Sequence, residues 1–547
     1  MPPRSADPRL GREKFPRLAR HGWLPLKRNW LCGGFLLFSV ILLPAQEPVA
    51  SFNVTDYGAV GDGTTLNTEA IQKAIDTCSA KGGGTVDFPA GRFLSGTIQI
   101  KDGVTLQLAE GAVLLGSTNL ADYQLIDGFK EGTGVQVGYA FVIAVDAKHV
   151  GIEGPGEIDG QGKAMAAAQA ATGDKQWGKR PFLIRLLRCE GVVLQNVKIT
   201  ASGAWTTHLS RCKDIQIKGV QIESFGLPHN DGIDIDSCEK MEITDCHIHS
   251  GDDSICFKTL GPAPCQDIVV NNCQLQTGEG AIKFGTESVG AFANIKVSNC
   301  EVISAKEGGI KLFSVDGSQM QNITVTDIKM SNVNLPIIVR LGAYLRTFHP
   351  GDQPQPIGSI KDIQIKNIEA KTCTRIGIMI SGIPDHPIEN LSMQNIDIEL
   401  PGAGHKEDAQ TIFPENEDKY PEVKMFGNVM PAYGAYIRHV QGLKIDGLTI
   451  HLAAADQRPA LFCQDVENME LTHWTLPADQ GADSVLNFDS VKDSLVSGFV
   501  VQGGAGTFLH LEGKDSAKIR LTDNQLGSTS TPFQLGSGVS ADALTVH

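Results

Sequence analysis

From Gly191 onward the chain restates one short pattern: a polar residue or Gly, aliphatic-x-aliphatic-x, a polar residue or Gly, then aliphatic or Cys-x-aliphatic. It reads GVVLQNVKI from Gly191, DIQIKGVQI from Asp214, KMEITDCHI from Lys240, DIVVNNCQL from Asp267, NIKVSNCEV from Asn294 and NITVTDIKM from Asn322. The starts lie 23, 26, 27, 27 and 28 residues apart. Further copies begin at Asp362, Asn390, Gly442, Asn468, Ser494 and Lys518, and the wider gaps before Asp362 and Gly442 mark inserted loops. Alternation at period two predicts strands. A repeat of about 26 residues with Gly and Asn between strands predicts the stacked coils of an all-β fold, a right-handed single-stranded parallel β-helix. A leucine-rich-repeat solenoid is the competing reading, but its leucine and asparagine frame is absent.

Two sets of cysteines fall on this frame. Cys246, Cys273 and Cys300 take the slot held elsewhere by Val197, Val220, Ile328, Ile368 and Ile396, while Cys189, Cys212, Cys238 and Cys265 each stand just ahead of a strand. A residue that interchanges with Val and Ile behaves as a small core hydrophobe, so inward stacking is expected rather than disulfides or metal binding. Ahead of the repeats, TEAIQKAIDTCSA from Thr68 has apolar spacing of helical type. It predicts an N-terminal capping helix, because an open solenoid end would expose core and unpaired strand edges.

Composition agrees with a turn-rich β protein: 60 of 547 residues are Gly, 41% are hydrophobic and 20% charged. The formal net charge of −15 makes nucleic acid a poor partner, since the basic cluster that binding would need is confined to the first 28 residues. That basic stretch precedes an uncharged run from Trp30 to Leu43, shorter than the ~20 residues that span a bilayer. With Pro44-Ala45-Gln46 behind it, the segment 1–46 reads as an export leader, and an uncleaved anchor is the alternative. The remainder, 47–547, is expected to be one β-helix domain with inserted loops near 341–360 and 402–436. The expected location is secreted or periplasmic, and the expected state is a monomer with no cofactor and no membrane association once the leader is removed.

Aligning the coils on their second strand superimposes DGID from Asp231, DSIC from Asp253, GAIK from Gly280 and GGIK from Gly308, spaced by 22, 27 and 28 residues. Stacking then sets Asp231 beside Asp253, with Asp252 adjacent, and Asp234 in column with Lys283 and Lys311. Like charges so close cannot all ionise freely, so at least one pKa is expected to rise, which lets an acid and a base coexist near neutral pH. Hydrolysis of a glycosidic bond needs such a pair, one group protonating the leaving oxygen and one activating water. Ordinary turn residues are the bland alternative, and a calcium site is a third possibility.

At these residues PHNDGIDIDSC and SGDDSICFK resemble the Asn-Thr-Asp and Gly-Asp-Asp motifs of the polygalacturonases, glycoside hydrolase family 28. FNVTDYGAVGDGTTLNTEAIQKAID from Phe52, GGGTVDFPAGRF from Gly82, GIEGPGEIDGQG from Gly151 and AWTTHLSRCKDIQIKGVQI from Ala204 look like bacterial members, with the likeness strongest from Phe52 to Gly317. The resemblance implies inverting hydrolysis without a metal, Asp252 as general acid, and Asp231 with Asp253 activating the water. Close stacking by itself would fit retention as readily, so inversion is implied by the family alone.

Several positions depart from the family pattern. His229 and Asn230 stand where Asn and Thr are usual, and Glu279 lies in the segment aligned with Gly-His-Gly. The Arg-Ile-Lys motif, which the resemblance implies grips the galacturonate carboxylate, reads Lys311-Leu312-Phe313. Candidate substrate-binding residues are therefore His229, Lys283, Lys311 and Arg340, with His208 read as structural. The expected partner is a pectic polysaccharide or oligosaccharide, either homogalacturonan, rhamnogalacturonan or a decorated fragment. The Pro-, Glu- and Tyr-rich insertion at 402–436 is long enough to wall one end of a cleft, which favours exo action or short substrates. A lyase using Lys258, Lys283 or Lys311 as base, and a non-catalytic glycan-binding β-helix, are the rival readings.

Overall fold

The computed structural model describes residues 50–422, 427 and 429–547. The expected leader at 1–46 lies outside the described residues. From Ser51 onward the chain winds into a right-handed parallel β-helix whose coils pair in register along three faces. One face runs through Phe182–Leu187, Thr207–Ser210, Ile233–Asp236, Ile255–Thr259, Gly280–Ser288, Gly308–Ser314 and Ile337–Leu341. The second takes up strands such as Lys213–Lys218 and Glu239–Thr244, and the third Gln221–Ser224 and His247–Ser250. The rule is broken where Gln124–Lys130 folds back antiparallel on Gln136–Val145.

Period-two alternation makes the core. Ile233, Ile235, Ile255, Phe257, Ile282, Phe284, Ile310 and Leu312 point inward and are buried, forming part of one continuous apolar column. Each such side chain contributes about 1.5–3 kcal/mol by leaving water. The cysteines sit in that column as expected: Cys300 is in register with Ile328, Ile328 with Ile368, and Ile368 with Ile396. Eleven cysteines are free thiols among the described residues, and all but Cys373 are buried.

The turns explain the Gly and Asn that punctuate the repeat. At one corner Gly219, Asp245, Asn272, Asn299, Asp327, Asn367, Asn395 and Gly447 all adopt positive φ, between 53° and 75°. Only Gly, Asn and Asp enter that region cheaply. Their side chains also form ladders: Asn272 donates to Asp245 at 2.7 Å and Asn299 to Asn271 at 2.7 Å. Each coil therefore fixes the register of the next.

The helix spans Thr68–Ala80 and buries Ile71, Ala74, Ile75 and Cys78 against the first coils. Asn67 opens it, and its side-chain oxygen accepts from the backbone N–H of Val60 instead of capping the helix. Among the described residues no helix is long and apolar enough to cross a membrane.

Among the described residues no strand lies between Leu341 and Ser359 or between Leu400 and Ala435. Arg346 of the first stretch and Glu422 of the second both reach residues of the first face or its end, Asp316 and Lys311. Arg346 fastens the first of them, with its guanidinium 2.8 Å from Asp316 and donating to the Gly132 carbonyl at 2.8 Å. The outward residues of this face are buried for that reason, and they form the floor of a cleft.

Candidate active site

The aspartates come from the turn that leads into the first face. Gly232 N–H donates to the Asp253 carbonyl at 2.8 Å, which aligns the Asp231 and Asp253 turns on successive coils. One carboxylate oxygen each from Asp231, Asp252 and Asp253 lies within 4.8 Å of the other two. The same oxygens have a spacing that suits a hard cation. Beyond them the outward column runs Asp234, Cys256, Lys283, Lys311 in strict register. The column expected from repeat spacing is present.

Each carboxylate meets a different environment. Asp253 Oδ2 accepts from Lys283 Nζ at 2.6 Å, and Asp253 Oδ1 accepts from Gly280 N–H at 3.0 Å. A Cβ at Gly280 would sit 2.8 Å from that same Oδ1, so the close approach requires glycine. Burial pushes Asp253 upward, but Lys283, Lys311 and Lys258 outweigh it and hold the carboxyl below its usual range. Asp252 is raised, first by burial and then by the Asp253 charge, although Asp253 N–H and His229 N–H donate to it at 3.0 and 3.2 Å. Asp231 is pushed up further by complete burial and by Asp234 and Asp252. Burial and like charge thus raise two neighbouring carboxyls while the lysines lower the third.

A buried network that repeat spacing did not reveal lies beneath them. Lys258 Nζ sits 3.2 Å from Glu287, 3.4 Å from Asp234 and 3.9 Å from Asp231, and 4.4 Å from the centre of the Trp205 ring. Burial opposes the charge on Lys258, yet its neighbours outweigh that cost and raise its pKa. Glu287 is correspondingly held down at about 2 despite burial, whereas burial lifts Asp234 to about 7.

A cavity of about 300 Å³ opens over this floor, lined by all three aspartates, Lys258, Lys283 and Glu279. Its lining is completed by Glu131, Gly132 and Thr133, from the connection between the antiparallel strands, and by Tyr420 and Glu422 from the inserted loop. His229 also borders it, with its ring stacked on Trp177 at a centroid distance of 3.8 Å and an interplanar angle of 11°.

The other candidates fall elsewhere. Lys311 does not line the cavity freely, because its ammonium donates to Glu422 at 2.7 Å and is buried. Arg340 is not among the described residues that line the cavity. It pairs in register with Phe313 rather than with Lys311, and its guanidinium donates to the carbonyls of Gly382 and Glu415. That corrects the assignment of Arg340 to substrate binding: the residue anchors the inserted loop. His208 is buried and accepts from Arg185 at 3.3 Å, a structural position.

Residues 78–416 match the profile of glycosyl hydrolases family 28. The chain belongs to that family. Among similar proteins, a Vitis vinifera protein named "Probable polygalacturonase" is 34% identical over 219 residues, 38% of this chain and 44% of that one. The Dickeya chrysanthemi "Exo-poly-alpha-D-galacturonosidase" is 32% identical, over 38% of this chain and 41% of that one. The chain thus spans less than half the length of these two curated relatives. The crystal structure of a hyperthermoactive exopolygalacturonase from Thermotoga maritima superposes with a TM-score of 0.54 at 25% identity, covering 65% of this chain and 88% of that one. Plant and bacterial proteins both appear among these relatives, so the likeness is not confined to bacterial members of the family.

Proposed function

We propose that the protein hydrolyses glycosidic bonds of galacturonate-containing pectic glycans, with Asp252 as general acid and Asp253 and Asp231 activating the attacking water. The observation that carries this reading is the convergence of the three carboxylates, 4.8 Å or less apart, on the floor of a cavity in a family 28 chain. Asp252, raised by burial and by Asp253, keeps a proton to give to the glycosidic oxygen as the bond from the anomeric carbon breaks. Asp253, held ionised by Lys283, accepts a proton from water as that oxygen bonds to the anomeric carbon. Asp231 fixes the same water from the neighbouring coil. Lys283 keeps further N–H donors beyond the one given to Asp253 and is the cation offered to a galacturonate carboxylate.

Inversion is carried over from the family, and proton NMR of the first-formed product tests it. An α-galacturonide should release the β anomer, and initial release of the α anomer would show retention. The walls at Glu131–Thr133 and Tyr420–Glu422 favour removal of terminal residues or cleavage of short chains over attack along an open groove. The Dickeya and Thermotoga relatives bear the names of exo-acting enzymes, in line with that reading. Export is part of the proposal, on the strength of the basic and apolar segment at 1–46 and of the pectic substrate.

The lyase reading needs a neutral basic side chain. Each of its three candidates is instead an ammonium held by carboxylates: Lys258 at 3.2 Å from Glu287, Lys283 at 2.6 Å from Asp253 and Lys311 at 2.7 Å from Glu422. Hydrolysis is favoured for that reason.

A further inference from the structure

The cavity is charged in an unexpected sense for an enzyme acting on a polyanion. Seven carboxyl side chains and two lysines line it. Both lysines are ion-paired, Lys258 with Glu287 and Asp234 and Lys283 with Asp253, and the one uronate that Lys283 meets with its remaining donors is the galacturonosyl residue being removed. The next cation in the column, Lys311, is capped by Glu422 from the 402–436 insertion, with the ammonium and the carboxylate both buried. Glu422 therefore occupies the place where a carboxylate of the substrate would meet Lys311.

Glu279 stands at the same end of the cavity, on the coil after Asp252. Burial, Asp252 and Glu307 raise it to about 7. Its backbone N–H is taken by Thr277 Oγ1 at 3.0 Å, and its carboxyl group faces the cavity that Asp252 also lines. A group receiving a proton from Asp252 must leave on the Asp252 and Glu279 side. A second galacturonate placed there would find Lys311 already paired with Glu422, and would bury its charge beside Glu279 with no free cation to meet it. An ionised group desolvated without a counter-charge is disfavoured. Hydroxyl groups of an uncharged sugar would instead hydrogen-bond to both carboxyl groups, and such buried polar groups discriminate strongly between ligands that can and cannot pair with them.

Resting on the function proposed above, we infer that the leaving-group side of the cleft takes a neutral sugar. The bond cut then joins a galacturonosyl residue to an uncharged sugar, and Glu422 and Glu279 are specificity-determining residues that exclude a second uronate. The test compares kcat/KM of the full chain on galacturonosyl-rhamnose and on digalacturonate, with 4-nitrophenyl α-galacturonide as a third substrate. The wild type should favour the neutral leaving sugar by about tenfold or more, and Glu422→Gln and Glu279→Gln should each shrink the ratio by improving digalacturonate cleavage. Two Gln variants in different segments guard against one failing to fold. Turnover of the aryl galacturonide together with equal or faster cleavage of digalacturonate, or a ratio that neither Gln variant moves, would overturn this inference alone. No turnover of any of the three would overturn the proposed function and this inference with it.

Discussion

Lys283 Nζ lies 2.6 Å from Asp253 Oδ2, one coil away, and it helps to lower the pKa of one of three adjacent aspartates while burial and like charge raise the other two. The division of labour proposed for the site depends on it. Removing the ammonium would leave a buried carboxylate without its nearest counter-charge.

Lys283→Met should therefore weaken both catalysis and the fold. Breaking a buried pair by deleting one partner costs roughly 3–5 kcal/mol. Chemical denaturation of the variant should show a loss of that order, and its pH–rate profile should have an acidic limb displaced towards neutral pH. An unchanged acidic limb would mean Asp253 is not the base.

The wild-type pH dependence follows from the same shifts. Asp253 is held below the usual carboxylate range, so activity should appear as pH rises through that low value. Asp252 is raised, so activity should fall as pH passes its higher value and the acid loses its proton. A plot of kcat/KM against pH should be bell-shaped, and a profile without the alkaline limb would remove Asp252 as acid.

Asp252→Asn should lower turnover by about 100-fold to 10,000-fold, the usual contribution of a general acid, with little change in melting temperature. The two N–H donors use different oxygens, so the amide keeps the acceptor for one of them, Asp253 or His229, and loses one hydrogen bond at the turn. Circular dichroism and a reducing-end assay on the same preparation check both halves, and residual wild-type rates would exclude the assignment.

Among the described cysteines only Cys373 is exposed, and all eleven are free thiols. In protein lacking residues 1–46, a thiol reagent should label one cysteine rapidly in the native state and the rest only after unfolding. Reducing agent should leave the melting temperature unchanged.

Repeat spacing alone carried the solenoid, the inward cysteines and the Asp234, Lys283, Lys311 column, because in a β-helix a fixed period converts sequence distance directly into stacking. The helix at Thr68–Ala80 was legible from its apolar spacing for a similar reason. What the spacing could not carry lies in the insertions. Glu422 and Tyr420 come from a stretch without periodicity, and only folding shows that it returns to cap Lys311. Arg340 was a candidate only because a cation was missing from the motif, and nothing in the spacing could show that it pairs with Phe313 and turns to the inserted loop. The role of Lys258 was obscured differently. Its position was plain, but the convergence of Asp231, Asp234 and Glu287 on it needs three coils in space.

The most direct test of the central claim is incubation of the purified protein with galacturonate-containing oligosaccharides, with and without chelator, following reducing ends and ultraviolet absorbance together. Hydrolysis by the three aspartates predicts new reducing ends without an absorbing unsaturated product, at the same rate in chelator. An absorbing product, or a rate abolished by chelator, would contradict it.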